Sequence, residues 1–179
     1  MKKTAIRDIC FIGIFAAVIA VMAQISFPTP FGVPLTMQTF ALMFAGIILG
    51  YKKGVTVALV YILLGALGVP VFAGFRGGFA VVSGTTGGFI MTFPLIAVAA
   101  GFGEKLKSKI GFILCLIAGL LLNYLGGLLW YSFVMQCNLQ TAFMACILPY
   151  LPMDPVKIAA AAVTGKQIKK ALIKSKVLI

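Results

Sequence analysis

The chain has no histidine and only three acidic residues, Asp8, Glu104 and Asp154, among its 179. Without imidazole there is no histidine triad, no histidine metal site and no HExxH motif. There is also no GxxxxGK[ST] sequence, so the chain has no P-loop of its own. Its four cysteines, Cys10, Cys115, Cys137 and Cys146, include no CxxC pair, and neither a metal nor a cofactor is expected. Cys137 and Cys146 fall in or near one connection, where a disulfide is open to them. Charged residues make up 10% of the chain against 62% from the apolar set. A water-soluble domain of this size could hardly be solvated with that balance, and the sequence reads as an integral membrane protein.

The 15 basic residues give a net charge of +12, and their placement separates a nucleic-acid partner from a lipid one. They cluster as Lys2, Lys3 and Arg7; Lys52 and Lys53; Lys105, Lys107 and Lys109; and Lys166, Lys169, Lys170, Lys174 and Lys176. Only Arg76 and Lys157 stand apart. The apolar runs between clusters suit helices of about 20 residues, expected at Ile9 to Ile25, Met37 to Gly50, Gly54 to Gly68, Gly88 to Phe102, Ile110 to Tyr131 and Pro155 to Lys169. Asp8 interrupts the N-terminal run and no small-x-small cleavage site follows, so the first helix is read as retained.

Six spans put both termini on one side, and the positive-inside rule makes that side cytoplasmic, with all four basic clusters on it. The connections Ser26 to Thr36, Val69 to Gly87 and Ser132 to Asp154 then face outward. The expected fold is all-α: one domain over residues 1–179, six transmembrane helices in the cell membrane, both termini cytoplasmic. The basic tail is a topology and lipid-surface determinant, and no nucleic acid is implied.

The segment Gly65 to Gly88 holds eight of the 20 glycines, with phenylalanines at 72, 75, 79 and 89 around it. Glycine at this density allows sharp turns and close approach to a ligand. Irregular backbone at membrane depth persists only where it is buried in protein or lines a cavity. The expectation is an outer loop that dips inward and walls a pocket. Gly84-Thr-Thr-Gly-Gly has the look of a phosphate cradle, but it lies on the outer face and lacks the P-loop lysine. A tight helix-initiating turn explains it as well.

The last connection ends in Leu151-Pro-Met-Asp-Pro-Val-Lys157. Pro155 suits the first position of a helix and puts Asp154 at the N-cap. Capping does not explain Lys157, a cation in a first turn that the helix dipole disfavours. An ionisable side chain within a span costs about 2.5 to 3.5 kcal/mol on insertion scales. Three residues apart on a helix, the two Cβ atoms lie roughly 5 to 6 Å from each other. Two readings stay open: a structural ion pair with Lys157 snorkelling outward, or a ligand clamp in an outward-facing cavity.

Val33-Pro-Leu-Thr-Met-Gln38, Gly68-Val-Pro-Val-Phe72, Gly77-Gly78, Gly84-Thr-Thr-Gly-Gly-Phe89 and Pro152-x-Asp154-x-x-Lys157 occur in that order. Together they resemble the BioY family, biotin-specific substrate-binding (S) components of energy-coupling-factor (ECF) vitamin importers. The resemblance covers positions 33 to 157. It departs where the family's loop pattern has proline and tyrosine and this chain has Thr85 and Phe89, losing a stiff turn and one hydroxyl.

The resemblance implies a six-helix S component that captures biotin from outside and passes it to a transmembrane coupling protein and two ATPase subunits. It places Asp154 and Lys157 on the family's polar ligand contacts and Gly84, Thr85, Thr86, Gly87, Gly88 and Phe89 on its loop beside the ligand. Biotin's ureido ring has two N–H donors and one carbonyl; Asp154 can accept from the former and Lys157 donate to the latter. Phe72, Phe75, Phe79 and Tyr124 are left to cover the apolar body, and Arg76, loop N–H groups or solvent to meet the valerate carboxylate. On the first helix, small residues four apart, Ala16 and Ala20 with Gly13 and Ala17 overlapping, permit close helix contact. Internal packing explains them too, whereas the resemblance favours docking to the coupling protein through Ala16 and Ala20. Two other classes are weighed: a hydrolase with Ser83 and Lys157 as a dyad, and a stand-alone facilitator or channel, which a single charged pair and a glycine-rich lid suit less than capture.

Overall fold

Helices are the form in which long apolar segments satisfy their own backbone hydrogen bonds, and the computed structural model of the chain is built from them. It describes residues 2–175 and 177, with side chains from residue 6 onward. The side chains of Lys2 and Lys3 and the whole of Lys176, counted in the basic clusters above, lie outside the described residues. The elements run α1 (Lys2–Gln24), β1 (Ser26–Phe27), β2 (Leu35–Thr36), α2 (Gln38–Ala66), α3 (Phe79–Ser83), α4 (Gly87–Gly103), α5 (Lys109–Met135), α6 (Leu139–Cys146) and α7 (Asp154–Lys174).

Helix α2 is a hairpin. Gly50 has φ 79° and ψ 169°, a left-handed backbone that glycine adopts without a Cβ clash, and the helix doubles back there. Gln38 Nε2 donates to the Tyr61 hydroxyl at 2.6 Å across 23 residues, a separation that straight helix would stretch to about 35 Å. A Cβ on Gly54 would stand 3.0 Å from the Gly46 Cα, so the halves cross with their backbones nearly in contact. The helices expected at Met37 to Gly50 and Gly54 to Gly68 are the two halves of α2, joined by one glycine rather than a loop.

The chain thus has six long helical segments: α1, the two halves of α2, α4, α5 and α7. By length and composition three described helices can cross a membrane, Ile6–Gln24, Gln38–Ala66 and Lys109–Met135, and Gly87–Gly103 is a shorter apolar helix. Their outer faces expose Ile14, Val21, Leu63, Leu114, Leu121 and Leu129, an apolar band that calls for lipid. The connections at the end away from the basic clusters hold more structure than expected. Ser26 pairs with Thr36 and Phe27 with Leu35 in an antiparallel ribbon. Asn138 Oδ1 caps α6 by accepting from the Thr141 N–H at 2.8 Å.

Helix α2 packs against α4, α4 against α5, and α1 and α7 against α2. The α4–α5 seam is set by glycine: a Cβ on Gly88 would fall 2.3 Å from Trp130 Cβ and 2.4 Å from the Gly126 oxygen. The two ends of the bundle differ electrostatically. At the basic end Lys53 Nζ lies 2.6 Å from Asp8 Oδ1, Lys169 pairs with Glu104, and Lys105 stands 4.4 Å over the Tyr51 ring. The two ion pairs are partly exposed and contribute about 1 kcal/mol or less each. They leave Asp154 as the one carboxylate at the other end. There, Cys137 and Cys146 are free thiols, so no disulfide joins them. Burial pushes the Cys146 thiol up to about 11, which withholds the thiolate that oxidation needs.

Candidate functional site

At the end opposite the basic clusters, the ribbon, the glycine-rich loop, the ends of α2, α4 and α7 and the middle of α5 line a narrow cavity of about 50 Å³. Its floor and walls are Phe72, Phe89, Ile90 and Phe93, with polar groups from Thr36, Gln38, Thr39, Asn123, Tyr124, Asp154 and Lys157.

Asp154 opens α7 but does not cap it. Met153 is the N-cap residue, no side chain caps the helix, and Pro155 follows in the first turn, which corrects the capping role expected for Asp154. Asp154 is 4% exposed and Lys157 3%, with Nζ 3.2 Å from Oδ1. Lys157 therefore does not snorkel outward; it is held inside, 5.9 Å over the Tyr150 ring. Asp154 Oδ2 is buried without a hydrogen-bond partner. A bare carboxylate oxygen away from water is strongly unfavourable unless a donor reaches it.

The groups around this pair are fixed by a relay. The Thr36 hydroxyl donates to Gln38 Oε1 at 2.9 Å, Gln38 Nε2 to the Tyr61 oxygen at 2.6 Å, and the Tyr61 hydroxyl to the Val71 carbonyl at 2.8 Å. One chain of bonds so ties both halves of α2 to the glycine-rich loop. The Tyr150 hydroxyl reaches the Val33 carbonyl at 2.8 Å and that of Pro34 at 3.1 Å, holding the ribbon over the cavity. Asn123 Nδ2 donates to the Phe89 carbonyl and to Thr92 Oγ1, each at 2.8 Å. Sequence reasoning gave Thr39, Asn123 and Tyr150 no part. Asn123 had a signal, an amide inside a long apolar helix, where polar groups are costly.

The glycine-rich loop forms part of the cavity wall, and it sorts its aromatic residues. Phe72 is 2% exposed and meets Tyr61 edge-on at 5.6 Å. Phe72 and Arg76 bridge across a tight turn in which Phe75 takes a positive φ of 54°. That turn throws Phe75 outward to 73% exposure, and Phe79 is 72% exposed; neither lines the cavity, a correction to their expected role over the ligand. Gln24, at the end of α1, clasps the turn, donating to the Phe72 carbonyl at 3.2 Å and accepting from the Phe75 N–H at 2.9 Å. Arg76 lines the cavity, with Nε tied to the Ala73 carbonyl at 3.1 Å.

Of the stretch from 84 to 89, Thr86 and Phe89 line the cavity, as does Tyr124. Gly84, Thr85, Gly87 and Gly88 stand behind it. The Gly84 carbonyl accepts from Trp130 Nε1 at 2.9 Å, and Thr85 Oγ1 reaches the Gly32 carbonyl at 3.3 Å. Gly87 and Gly88 are buried against Trp130, so these residues place the wall rather than touch its contents. Ser83 is exposed and donates to the Phe79 carbonyl, outside the cavity that holds Lys157, which removes the dyad. On α1, Ala16 is 4% exposed and belongs to the core, with Ala20 partly buried beside it. The small residues that face outward are Gly13 and Ala17.

The chain matches the sequence profile of the BioY family over residues 1–174. It is 39% identical to a probable biotin transporter BioY of Pyrococcus horikoshii, covering 91% of this chain and 96% of the relative. It is 36% identical to a biotin transporter BioY of Thermotoga maritima, over 92% and 96% respectively. Its fold superposes on a crystal structure of the S-component for biotin from an ECF-type ABC transporter with a TM-score of 0.86, at 23% identity over 95% of this chain and 94% of that one. A buried acid–base pair in a cavity at the charge-poor end of six helical segments thus sits in a sequence that, nearly end to end, belongs to the BioY family.

Proposed function

We propose that the chain is a biotin uptake protein, the membrane-embedded biotin-capturing subunit of an ECF-type ATP-driven importer. The observation that carries this reading is the buried Asp154–Lys157 pair in the wall of the cavity, with Asp154 Oδ2 left bare. A ureido group supplies what the pair needs: N–H groups for the carboxylate and a carbonyl for the ammonium. Phe72, Phe89 and Phe93 offer apolar surface to the rest of the ligand. Arg76 is the cation placed to meet a carboxylate at the rim.

In this reading all six long segments cross the bilayer, both termini and the basic clusters face the cytoplasm, and the cavity faces outward. Energy comes from elsewhere, since the sequence has no P-loop, and a transmembrane coupling protein with two ATPase subunits supplies it. The test is biotin binding and flux: saturable binding by the purified chain in detergent, with no biotin flux into liposomes containing it alone, is the expected result. Flux without an ATPase partner would make it a facilitator instead.

Docking to the coupling protein is assigned to the outward Gly13–Ala17 stripe of α1, in place of the inward Ala16–Ala20 one. A Cβ built on Gly13 meets nothing within 4 Å, so the protein's own packing does not require glycine there. Gly13→Trp or Ala17→Trp lowers ATP-driven uptake by about tenfold or more, as a bulky side chain would at a close helix contact, and leaves biotin binding unchanged. Uptake at the wild-type rate would sink this assignment.

A further inference from the structure

Three buried side-chain oxygens among the described residues have no hydrogen-bond partner: Thr39 Oγ1, Tyr124 OH and Asp154 Oδ2. They come from α2, α5 and α7, yet all three residues line the one cavity. Their neighbours are treated differently. Tyr61, Tyr150, Thr36 and Thr92, at the same end of the bundle, each give their hydroxyl hydrogen to a defined acceptor. A fold that satisfies those four and strands two others is keeping the two for something not in the protein, because a buried polar group without a partner is destabilising.

We propose that Tyr124 and Thr39 are specificity-determining ligand contacts, whose hydroxyls join Asp154 and Lys157 in reading a cyclic ureide head. This rests on the biotin reading above and extends it from two residues to four. The counts match. A ureide offers two N–H donors and a carbonyl with two lone pairs; Asp154 Oδ2 and Thr39 Oγ1 accept the former, and Lys157 Nζ and the Tyr124 hydroxyl donate to the latter. Tyr124 is well placed to act with the ion pair. It stands with Asp154 between this cavity and a separate apolar groove along α5 and α7, and its ring lies 6.5 Å from that of Tyr150, the ring under Lys157 Nζ. Tyr124 itself is only 6% exposed, so bulk water does not serve its hydroxyl.

Tyr124→Phe and Thr39→Val remove each hydroxyl with little change of shape, and the test measures two quantities on each purified variant. Biotin affinity falls about tenfold to a hundredfold, the usual loss when a site built to hydrogen-bond its ligand loses a group. The unfolding temperature of the ligand-free protein stays level or rises, because a stranded hydroxyl has gone. A structural role moves that second quantity the other way, and a fall of several degrees in both ligand-free variants overturns the proposal. So does affinity within about threefold of wild type in both. N-methylation of the ureide supplies a cycle: Thr39→Val costs less affinity with the methylated ligand than with biotin if the lost bond is the one proposed. Failure of the wild type to bind biotin at all overturns the underlying reading, a result distinct from either of these.

Discussion

Asp154→Ala is expected to abolish biotin binding, and Lys157→Ala to do the same. Either change leaves its former partner charged and alone in a cavity where the pair is 4% and 3% exposed. Breaking a buried pair costs about 3–5 kcal/mol of folding stability, and a site built to hydrogen-bond its ligand loses discrimination of up to about 10⁴-fold when one of its groups is gone. The double substitution Asp154→Leu with Lys157→Met separates binding from folding. It removes both charges together, a change that is often neutral or stabilising, so thermal stability recovers above that of the single variants while binding stays absent. Equilibrium binding and unfolding curves on the four proteins check this. A single variant that keeps affinity within fivefold of wild type would show that the pair is structural.

Gly88→Val prevents assembly of the bundle. The first carbon of any side chain at 88 lands 2.3 Å from Trp130 Cβ and 2.4 Å from the backbone oxygen of Gly126, and a backbone oxygen cannot rotate aside. Overpacking commonly costs about 1–3 kcal/mol, with larger values where the neighbour cannot give way. Separating α4 from α5 would also break the Asn123 bonds to Phe89 and Thr92 and so dismantle the cavity wall. The expected result is loss of a monodisperse peak in detergent. Gly13→Ala is the matched control on an exposed helix face with nothing within 4 Å; it is neutral or stabilising by up to about 1 kcal/mol, since alanine is the better helix former. Comparable damage from both would refute the packing account.

Charge made most of the architecture legible. A cation in an apolar span is costly, so basic clusters mark helix ends, and the same cost singled out Asp154 and Lys157 within otherwise apolar sequence. What could not be read was direction. Phe72, Phe75 and Phe79 are alike on paper, and only the turn with positive φ at Phe75 decides that the first faces in and the second out. Ala16 and Ala17 pose the same difficulty on α1. Neighbouring helix positions point about 100° apart, and with apolar residues all round no polar face tells which way either looks. The glycines of 84 to 88 were legible as a need for close approach, though not as approach to Trp130 and Gly126 rather than to a ligand. Thr39 left no mark at all, because threonine is ordinary in a helix and its significance lies in what fails to bond it.

The turn at Gly50 also has a kinetic meaning. Joining the halves of α2 through a single residue leaves almost no loop to close, and the entropy of closure grows with loop length. Gln38 and Tyr61 can meet as soon as the 29 residues of α2 exist. Chains are made from the N-terminus at about 5–20 residues per second, so the relay from Thr36 to Val71 precedes Asn123, Tyr124, Asp154 and Lys157 by several seconds of synthesis. The rigid wall of the cavity is thus assembled first, and the charged pair, which has no stable home in lipid by itself, arrives last into a place already prepared for it.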